Sequence, residues 1–286
     1  MMAVWVNGRL VEDSRAAIPV RDRGFTLGDG LFETMRAYGG RIFRLRDHLE
    51  RLERGARRIG LPLPEGLFEG AVETLEATGL KDAAVRLTVT RGEGEGLTPP
   101  VGVPATAVIT ARPYRAFPGW YERGVRAVTA RGRLDENRAT AGLKHLGYLE
   151  AILAVREARA AGCDDALFVD GAGHLAEAAA SNLFMVLDGV LATPPLSCGI
   201  LPGVTRAAVV EIAAAGGVPV REEPVAPADL DEATEAFLTS SLREIVPLVV
   251  ANGRPVGGGA PGVLTRRLLR AYRDLTRSGS REGVAR

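Results

Sequence analysis

The sequence predicts an α+β protein made of two mixed domains. Three observations carry that expectation. Alternating, strand-like runs and amphipathic, helix-like runs are interleaved from one end to the other. The stretch Pro113 to Gly119 holds two prolines and a glycine, and reads as an interdomain linker. A chain of 286 residues is also enough for about two domains at roughly 150 residues each. The boundary falls at 115: residues 1–115 form a small N-terminal domain and 116–286 a larger C-terminal one.

Taken in order, Val4-Trp5-Val6, then Asn7-Gly8, then Leu10-Val11 reads as a hairpin, because Asn-Gly supplies the positive φ angles that a tight turn needs. Phe32 to Tyr38, Gly39-Gly40 and Arg41 to Leu45 form a second hairpin. Arg46 to Ile59 spaces His48, Leu49, Leu52, Ala56 and Ile59 as one helix face, and Gly60 ends it. Pro64 to Thr78 is a second amphipathic helix. Ala84 to Thr90 and Ala105 to Ala111 read as strands, separated by a Gly- and Pro-rich loop from Gly92 to Val103. Beyond the linker come a strand (Val125 to Ala130), a polar loop (Gly132 to Thr140) and a long helix (His145 to Ala161). Short strands follow around Ala166 to Val169, Leu183 to Leu187 and Val190 to Thr193. A helix (Val204 to Ala215), strands Phe237 to Thr239 and Ile245 to Val250, and a last helix (Gly262 to Thr276) complete the pattern. The tail after Arg277 reads as disordered.

Composition excludes several classes. The 36 basic and 35 acidic residues leave a net charge of +1, which argues against a nucleic-acid or membrane-surface protein. The longest uncharged stretch, Gly189 to Thr205, contains three prolines and is no membrane span. Residues Met1 to Arg9 lack the layout of a signal peptide. The two cysteines, Cys163 and Cys198, have no metal-type spacing and fit a reducing, cytoplasmic compartment. Three histidines with no pair in ligand register argue against a metal site.

The basic residues are 34 arginines and two lysines, Lys81 and Lys144. Arginine cannot supply a neutral amine to condense with a carbonyl, so each lysine is a candidate for chemistry. Lys81 sits in a turn. Lys144 lies between Leu143 and Leu146, where partial desolvation favours Schiff-base chemistry. Glu177, followed by three alanines, is a carboxylate in an apolar setting that needs a cationic partner. Leu201-Pro202-Gly203-Val204-Thr205-Arg206 opens a helix whose first amides make an anion site. Thr239-Ser240-Ser241 adds hydroxyls at a strand end, and Arg51 is one cation of a basic helix. An amine, a carboxylate, an anion-binding helix start and an arginine together suit pyridoxal 5′-phosphate.

The same residues resemble a known family. Glu177 with Ala179, Asn182-Leu183-Phe184, Leu191-x-Thr193 and Leu201-x-Gly203-Val204-x-Arg206 is similar to the signature of class IV pyridoxal-phosphate aminotransferases. The resemblance extends to Asp22-Arg23-Gly24, Gly28-Asp29-Gly30-Leu31-Phe32-Glu33, His48-x-x-Arg51-Leu52, Thr90-Arg91-Gly92, Lys144 and Ser240-Ser241. It implies fold type IV, with a small N-terminal and a larger C-terminal cofactor-binding domain, and a homodimer. It also implies an amino acid and a 2-oxo acid as substrates. By the resemblance, Lys144 is the Schiff-base lysine and proton carrier and Glu177 pairs with the pyridine nitrogen. Arg51, Val204, Thr205, Ser240 and Ser241 hold the phosphate. Tyr148 lies at the cofactor, although branched-chain relatives place their tyrosine five residues after the lysine rather than four. Phe32 lines the substrate pocket. Arg91 either binds a substrate carboxylate or is a structural arginine that fixes its loop. The expected activity is transamination. The alternatives are a 4-amino-4-deoxychorismate lyase, which Ala141-Gly142-Leu143-Lys144-His145-Leu146 resembles, and a catalytically inactive cofactor-binding protein.

Overall fold

Strand alternation and helix periodicity sort this chain into two compact units, and the computed structural model describes residues 3–278 of it. The first unit comprises Met1–Arg115, Leu143–Gly147 and Thr276–Arg286, and the second Ala116–Gly142 and Tyr148–Leu275. The expected second domain, 116–286, therefore yields the segment around Lys144 to the first unit. The tail after Arg277, expected to be disordered, lies outside the described residues except for Ser278.

In the first unit the strands are β1 (Ala3–Val6), β2 (Arg9–Glu12), β3 (Gly30–Tyr38), β4 (Arg41–Ile42), β5 (Ala83–Thr90) and β6 (Thr106–Pro113). They form one antiparallel sheet in the order β2-β1-β6-β5-β3-β4. The first turn is made by Asn7 and Gly8 at φ 47° and 90°, as Asn-Gly prescribes. A short helix, α1 (Arg23–Leu27), precedes β3, and α2 (Leu45–Ile59) and α3 (Leu67–Thr78) pack on one sheet face. The buried set on that face includes Trp5, Leu31, Met35, Leu52, Ala56, Leu75, Val85, Leu87 and Ile109. Each large aliphatic side chain so buried contributes about 1.5–3 kcal/mol.

The second unit holds the helices α4 (Pro118–Arg123), α5 (Leu149–Ala160), α6 (Val204–Ala215) and α7 (Asp229–Glu232). Its strands are β7 (Val125–Leu134), β8 (Asp165–Asp170), β9 (Leu175–Ala178), β10 (Ser181–Leu187), β11 (Val190–Thr193), β12 (Val220–Glu222), β13 (Glu235–Ser240), β14 (Glu244–Ala251) and β15 (Arg254–Pro255). The sheet is mixed, with parallel pairings at β11–β12, β7–β14 and β7–β8. Because β9 pairs with both β8 and β10, the strands β10, β13, β14, β7, β8 and β9 close into a ring. The last helix, α8 (Val263–Ser278), ends the described chain. No helix among the described residues is long and apolar enough to cross a membrane.

Several expectations change. The helix expected from His145 begins only at Leu149, because the backbone before it is held against β3. The Phe32 N–H donates to the Lys144 carbonyl at 2.9 Å, and the Leu146 N–H to the Gly30 carbonyl at 3.2 Å. Helix-like spacing cannot compete with backbone bonds supplied by a neighbouring strand. The linker is shorter than expected, since α4 starts at Pro118 with proline in its first turn. α3 starts at Leu67 rather than Pro64, and β7 runs four residues past Ala130. The short elements α1, β9, β12 and α7 have too few residues to show a period, and no sequence pattern announces them.

Candidate active site

The first unit builds a basic cluster around Lys144. Leu143 packs against the core of that unit, and the bridge between Leu31 and His145 fixes the segment's register on the edge of β3. The half-buried Lys144 thereby puts its Nζ 4.5 Å from the centre of the Phe32 ring. The guanidinium of Arg86, on β5, lies 3.9 Å from the centre of the same ring. Phe32 thus has two cations within cation–π range of it. Arg86 is a residue that sequence reasoning misses. Its signal is an arginine in an otherwise apolar and hydroxylic strand, two residues from Thr88, whose hydroxyl takes its Nε–H at 3.2 Å.

Glu33 follows Phe32 and points to the opposite, buried face, where it is 0% exposed. A carboxylate there requires partners, and α2 supplies two of them three residues apart. Arg51 donates from Nε to Oε1 at 2.8 Å and from Nη2 to Oε2 at 2.6 Å, while His48 Nδ1 lies 2.7 Å from Oε2. Burial raises the Glu33 carboxyl, but the Arg51 charge and the bonds from His48 and Arg51 outweigh it and hold the pKa at about 2. Burial pushes the His48 ring below its ordinary value. The Arg51 and Lys144 charges add to that, against the opposing pull of Glu33. Since an ionised Glu33 can only accept, His48 carries a proton on Nδ1, and burial disfavours a second proton on the other ring nitrogen. Arg51 was expected at a phosphate; within its own unit it is first of all the partner of Glu33.

Arg91, the other expected substrate residue, is only 8% exposed. Its Nε donates to Asp29 at 2.8 Å, Nη1 to the Gly60 carbonyl at 2.7 Å and Nη2 to the Ile59 carbonyl at 2.9 Å. Asp29 also accepts from Arg23 Nε at 2.8 Å. Burial raises the Asp29 carboxyl, and the two arginines hold it below its usual value. With all three of its nitrogens bonded within the chain, Arg91 has the geometry of an arginine that ties α2 to its loop, not of a carboxylate receptor.

The second unit builds a different arrangement. Glu177 on β9 is the register partner of Asn182 on β10. Its Oε2 accepts from Asn182 Nδ2 and from the Leu201 N–H, each at 3.1 Å. Both partners are donors, which favours the charged carboxylate. α6 starts at Val204 with Gly203 as its N-cap and no capping side chain. The first intrahelical bond is made by the Ala207 N–H to Gly203, so the amides of Val204, Thr205 and Arg206 are the helix's three outward donors. Arg206 itself turns away to the Pro194 carbonyl and Glu222. Thr239, the register partner of Asn182 on β13, has a buried hydroxyl with no hydrogen-bond partner among the described residues. Ser240 closes the strand and takes the Arg243 N–H on its Oγ at 3.3 Å; Ser241 follows in the turn. Tyr148 is the N-cap of α5. The roles of Asn182 and Thr239 are not foreseeable from the sequence, although Asn182 lies inside the motif that is.

Similarity to known proteins agrees with this geometry. A family model described as Amino-transferase class IV matches residues 30–250. The branched-chain-amino-acid aminotransferase of Escherichia coli strain K12 is 33% identical over 284 residues, covering 95% of this chain and 92% of that protein. Among solved structures, the branched-chain aminotransferase from the thermophilic archaeon Thermoproteus uzoniensis with norvaline superposes with a TM-score of 0.88 at 35% identity, over 97% of this chain and 95% of that one. The 4-amino-4-deoxychorismate lyase from Pseudomonas aeruginosa superposes with a TM-score of 0.85 at 38% identity, over 95% of this chain and 98% of that one.

Proposed function

The chain belongs to the class IV aminotransferases, and from that premise we propose that it transfers an amino group between an amino acid and a 2-oxo acid with pyridoxal 5′-phosphate and Lys144. The observation that carries this reading is the placing of Lys144 on the edge of β3. One of only two lysines in the chain is held by its own backbone carbonyl beside Phe32 and Arg86.

The donor set fits the cofactor. Glu177, whose Oε2 accepts from two N–H donors, suits a protonated ring nitrogen. The uncapped start of α6, through Val204 and Thr205, suits a phosphate dianion, assisted by the helix dipole. The buried Thr239 hydroxyl is a polar atom still to be satisfied. Arg51, Ser240, Ser241 and Tyr148 complete the proposed cofactor residues, and Phe32 the substrate wall. When bound, the cofactor supplies a conjugated ring that takes up the electron pair of the substrate Cα–H bond. The Nζ of Lys144 is the base that receives the proton from that carbon and returns it. Glu177 keeps the ring nitrogen cationic, and the α6 amides anchor the phosphate. The unit built on residues 1–115, with Leu143–Gly147, serves as the small domain, and the unit built on Ala116–Gly142 and Tyr148–Leu275 as the larger one. A homodimer accords with α5, which leaves Leu149, Ile152 and Leu153 exposed. Two free thiols accord with the cytoplasm.

A second reading, aminodeoxychorismate lyase, is favoured by one observation, the 38% identity to the Pseudomonas aeruginosa lyase. The test is direct. The purified protein should carry visible absorbance that an amino donor bleaches to the pyridoxamine form. Panels of L- and D-amino acids with 2-oxoglutarate or pyruvate should then show transfer, and Lys144→Ala should abolish it. Formation of 4-aminobenzoate and pyruvate from aminodeoxychorismate without amino transfer would establish the lyase instead. Normal turnover by Lys144→Ala would overturn the mechanism under either name.

A further inference from the structure

Three polar groups in the second unit close a triangle. Glu177 Oε2 accepts from Asn182 Nδ2 at 3.1 Å and from the Leu201 N–H at 3.1 Å, and the same Nδ2 donates to the Leu201 carbonyl at 2.9 Å. Both donors of the Asn182 amide are therefore spent, one on a side-chain carboxylate and one on the peptide two residues before Gly203. The amide cannot be turned over, because its oxygen would then meet two acceptors. Its oxygen faces the helix start instead: a Cβ on Gly203 would fall 2.0 Å from Asn182 Oδ1. Asn182 is 4% exposed and sits opposite Glu177 in the β9–β10 ladder, so its backbone is as fixed as its amide.

We propose that Asn182 is a positioning strut, holding the Glu177 carboxylate at a set separation from the first turn of α6. A rigid ligand with a cationic ring nitrogen at one end and a phosphate at the other then meets both receptors at once. This rests on the cofactor reading above and adds to it a residue that touches neither end of the ligand's chemistry. The energetic logic is that of linkage. A ligand held at two points gains over its separate halves only if the two points are already at its length. Asparagine is suited to the place because aspartate has no N–H to give, alanine has no reach, and glutamine would drive its longer amide into Gly203. Glycine at 203 is the matching half of the device, since any side chain there would push the strut and the helix apart.

The test uses the apoprotein and three probes: inorganic phosphate, pyridoxal 5′-phosphate, and the analogue with carbon in place of the ring nitrogen. Binding is read by equilibrium dialysis or by tryptophan fluorescence. In Asn182→Ala and in the likewise uncharged Asn182→Ser, affinity for inorganic phosphate should stay within about twofold, because the α6 amides are untouched and the fold is thereby reported intact. Affinity for pyridoxal 5′-phosphate should fall at least about tenfold, and its preference over the carbon analogue should shrink towards unity. Gly203→Ala should weaken the cofactor by a similar factor, and the double variant should be no weaker than the worse single one, since both act through one contact. Unchanged cofactor affinity in both Asn182 variants overturns the strut, as does an equal loss for phosphate and cofactor. A wild-type apoprotein that takes up no pyridoxal 5′-phosphate overturns the cofactor reading and the strut with it.

Discussion

Arg51 lies side-on along the Glu33 carboxylate, with Nε 2.8 Å from one oxygen and Nη2 2.6 Å from the other. Both side chains are buried, at 7% and 0% exposure. A pair of this kind is not strong evidence of net stabilisation, because desolvation offsets much of the attraction. Breaking it is another matter, since the remaining charge is stranded. Glu33→Ala should cost about 3–5 kcal/mol. The measurement is urea unfolding of the first unit, followed by the buried Trp5 in a Trp120→Phe background. A loss below about 1 kcal/mol would show that water or a rearranged α2 rescues Arg51, so that the pair is not sealed from solvent.

The same cluster contributes to the acid side of the stability curve, together with Asp29 and Asp170, whose carboxyls are also held below their usual value. Glu33 titrates at about 2 in the folded chain against an ordinary value of 4.5, and His48 below an ordinary 6.5. In both cases the folded state binds fewer protons than the unfolded state as pH falls, so stability declines towards acid. The His48 contribution is present above pH 6.5 and begins to disappear below it. The Glu33 contribution is lost between pH 4.5 and about 2, and amounts to about 3 kcal/mol at about 1.4 kcal/mol per pK unit. A pH series of urea midpoints should thus show a shallow decline setting in below about 6.5 and a steep one below 4.5. His48→Gln should remove the first phase and leave the second. If its curve superimposes on the wild type between those two values, the neutral His48 is misassigned.

Much of the fold is legible in the sequence because its long elements carry clear periods. The spacing gives α6 its true bounds, Val204 to Ala215, and α2 within one residue, because Leu49, Leu52, Ala56 and Gly60 mark both a face and an end. The misreading at His145 to Tyr148 has a physical cause. That segment answers to β3, far earlier in the chain, and a local pattern cannot register a distant strand edge. The candidate site is legible to the extent that its chemistry is carried by residue type, as with Lys144, Glu177 and the Pro-Gly helix start. What stays hidden depends on direction. Glu33 reads as one more acidic residue until the alternation of Leu31, Glu33, Met35 and Ala37 is seen to bury it. Asn182 reads as a motif position until both of its N–H bonds are traced. Arg86 on β5 and Arg91 just after it are alike in sequence and opposite in setting.

That last contrast is itself testable. Arg91 is buried and bonded through all three nitrogens, whereas Arg86 is exposed, uses its Nε on Thr88 and shares the Phe32 ring with Lys144. A carboxylate arriving beside Phe32 therefore meets the Arg86 and Lys144 cations and not Arg91. We expect Arg91→Ala to lower stability, since it strands Asp29 with Arg23 alone and leaves two helix-end carbonyls unbonded, while KM for any substrate the folded enzyme accepts shifts little. We expect Arg86→Ala to leave stability nearly unchanged and to raise KM for a dicarboxylic 2-oxo acid by about 10–100-fold, the loss of one charged hydrogen-bonding contact, with a smaller effect on a monocarboxylic one. Unfolding midpoints and steady-state kinetics on both variants decide the matter. Should Arg91→Ala raise KM selectively while remaining as stable as the wild type, the two arginines would have to exchange roles, and the loop after β5 rather than its exposed face would be the carboxylate receptor.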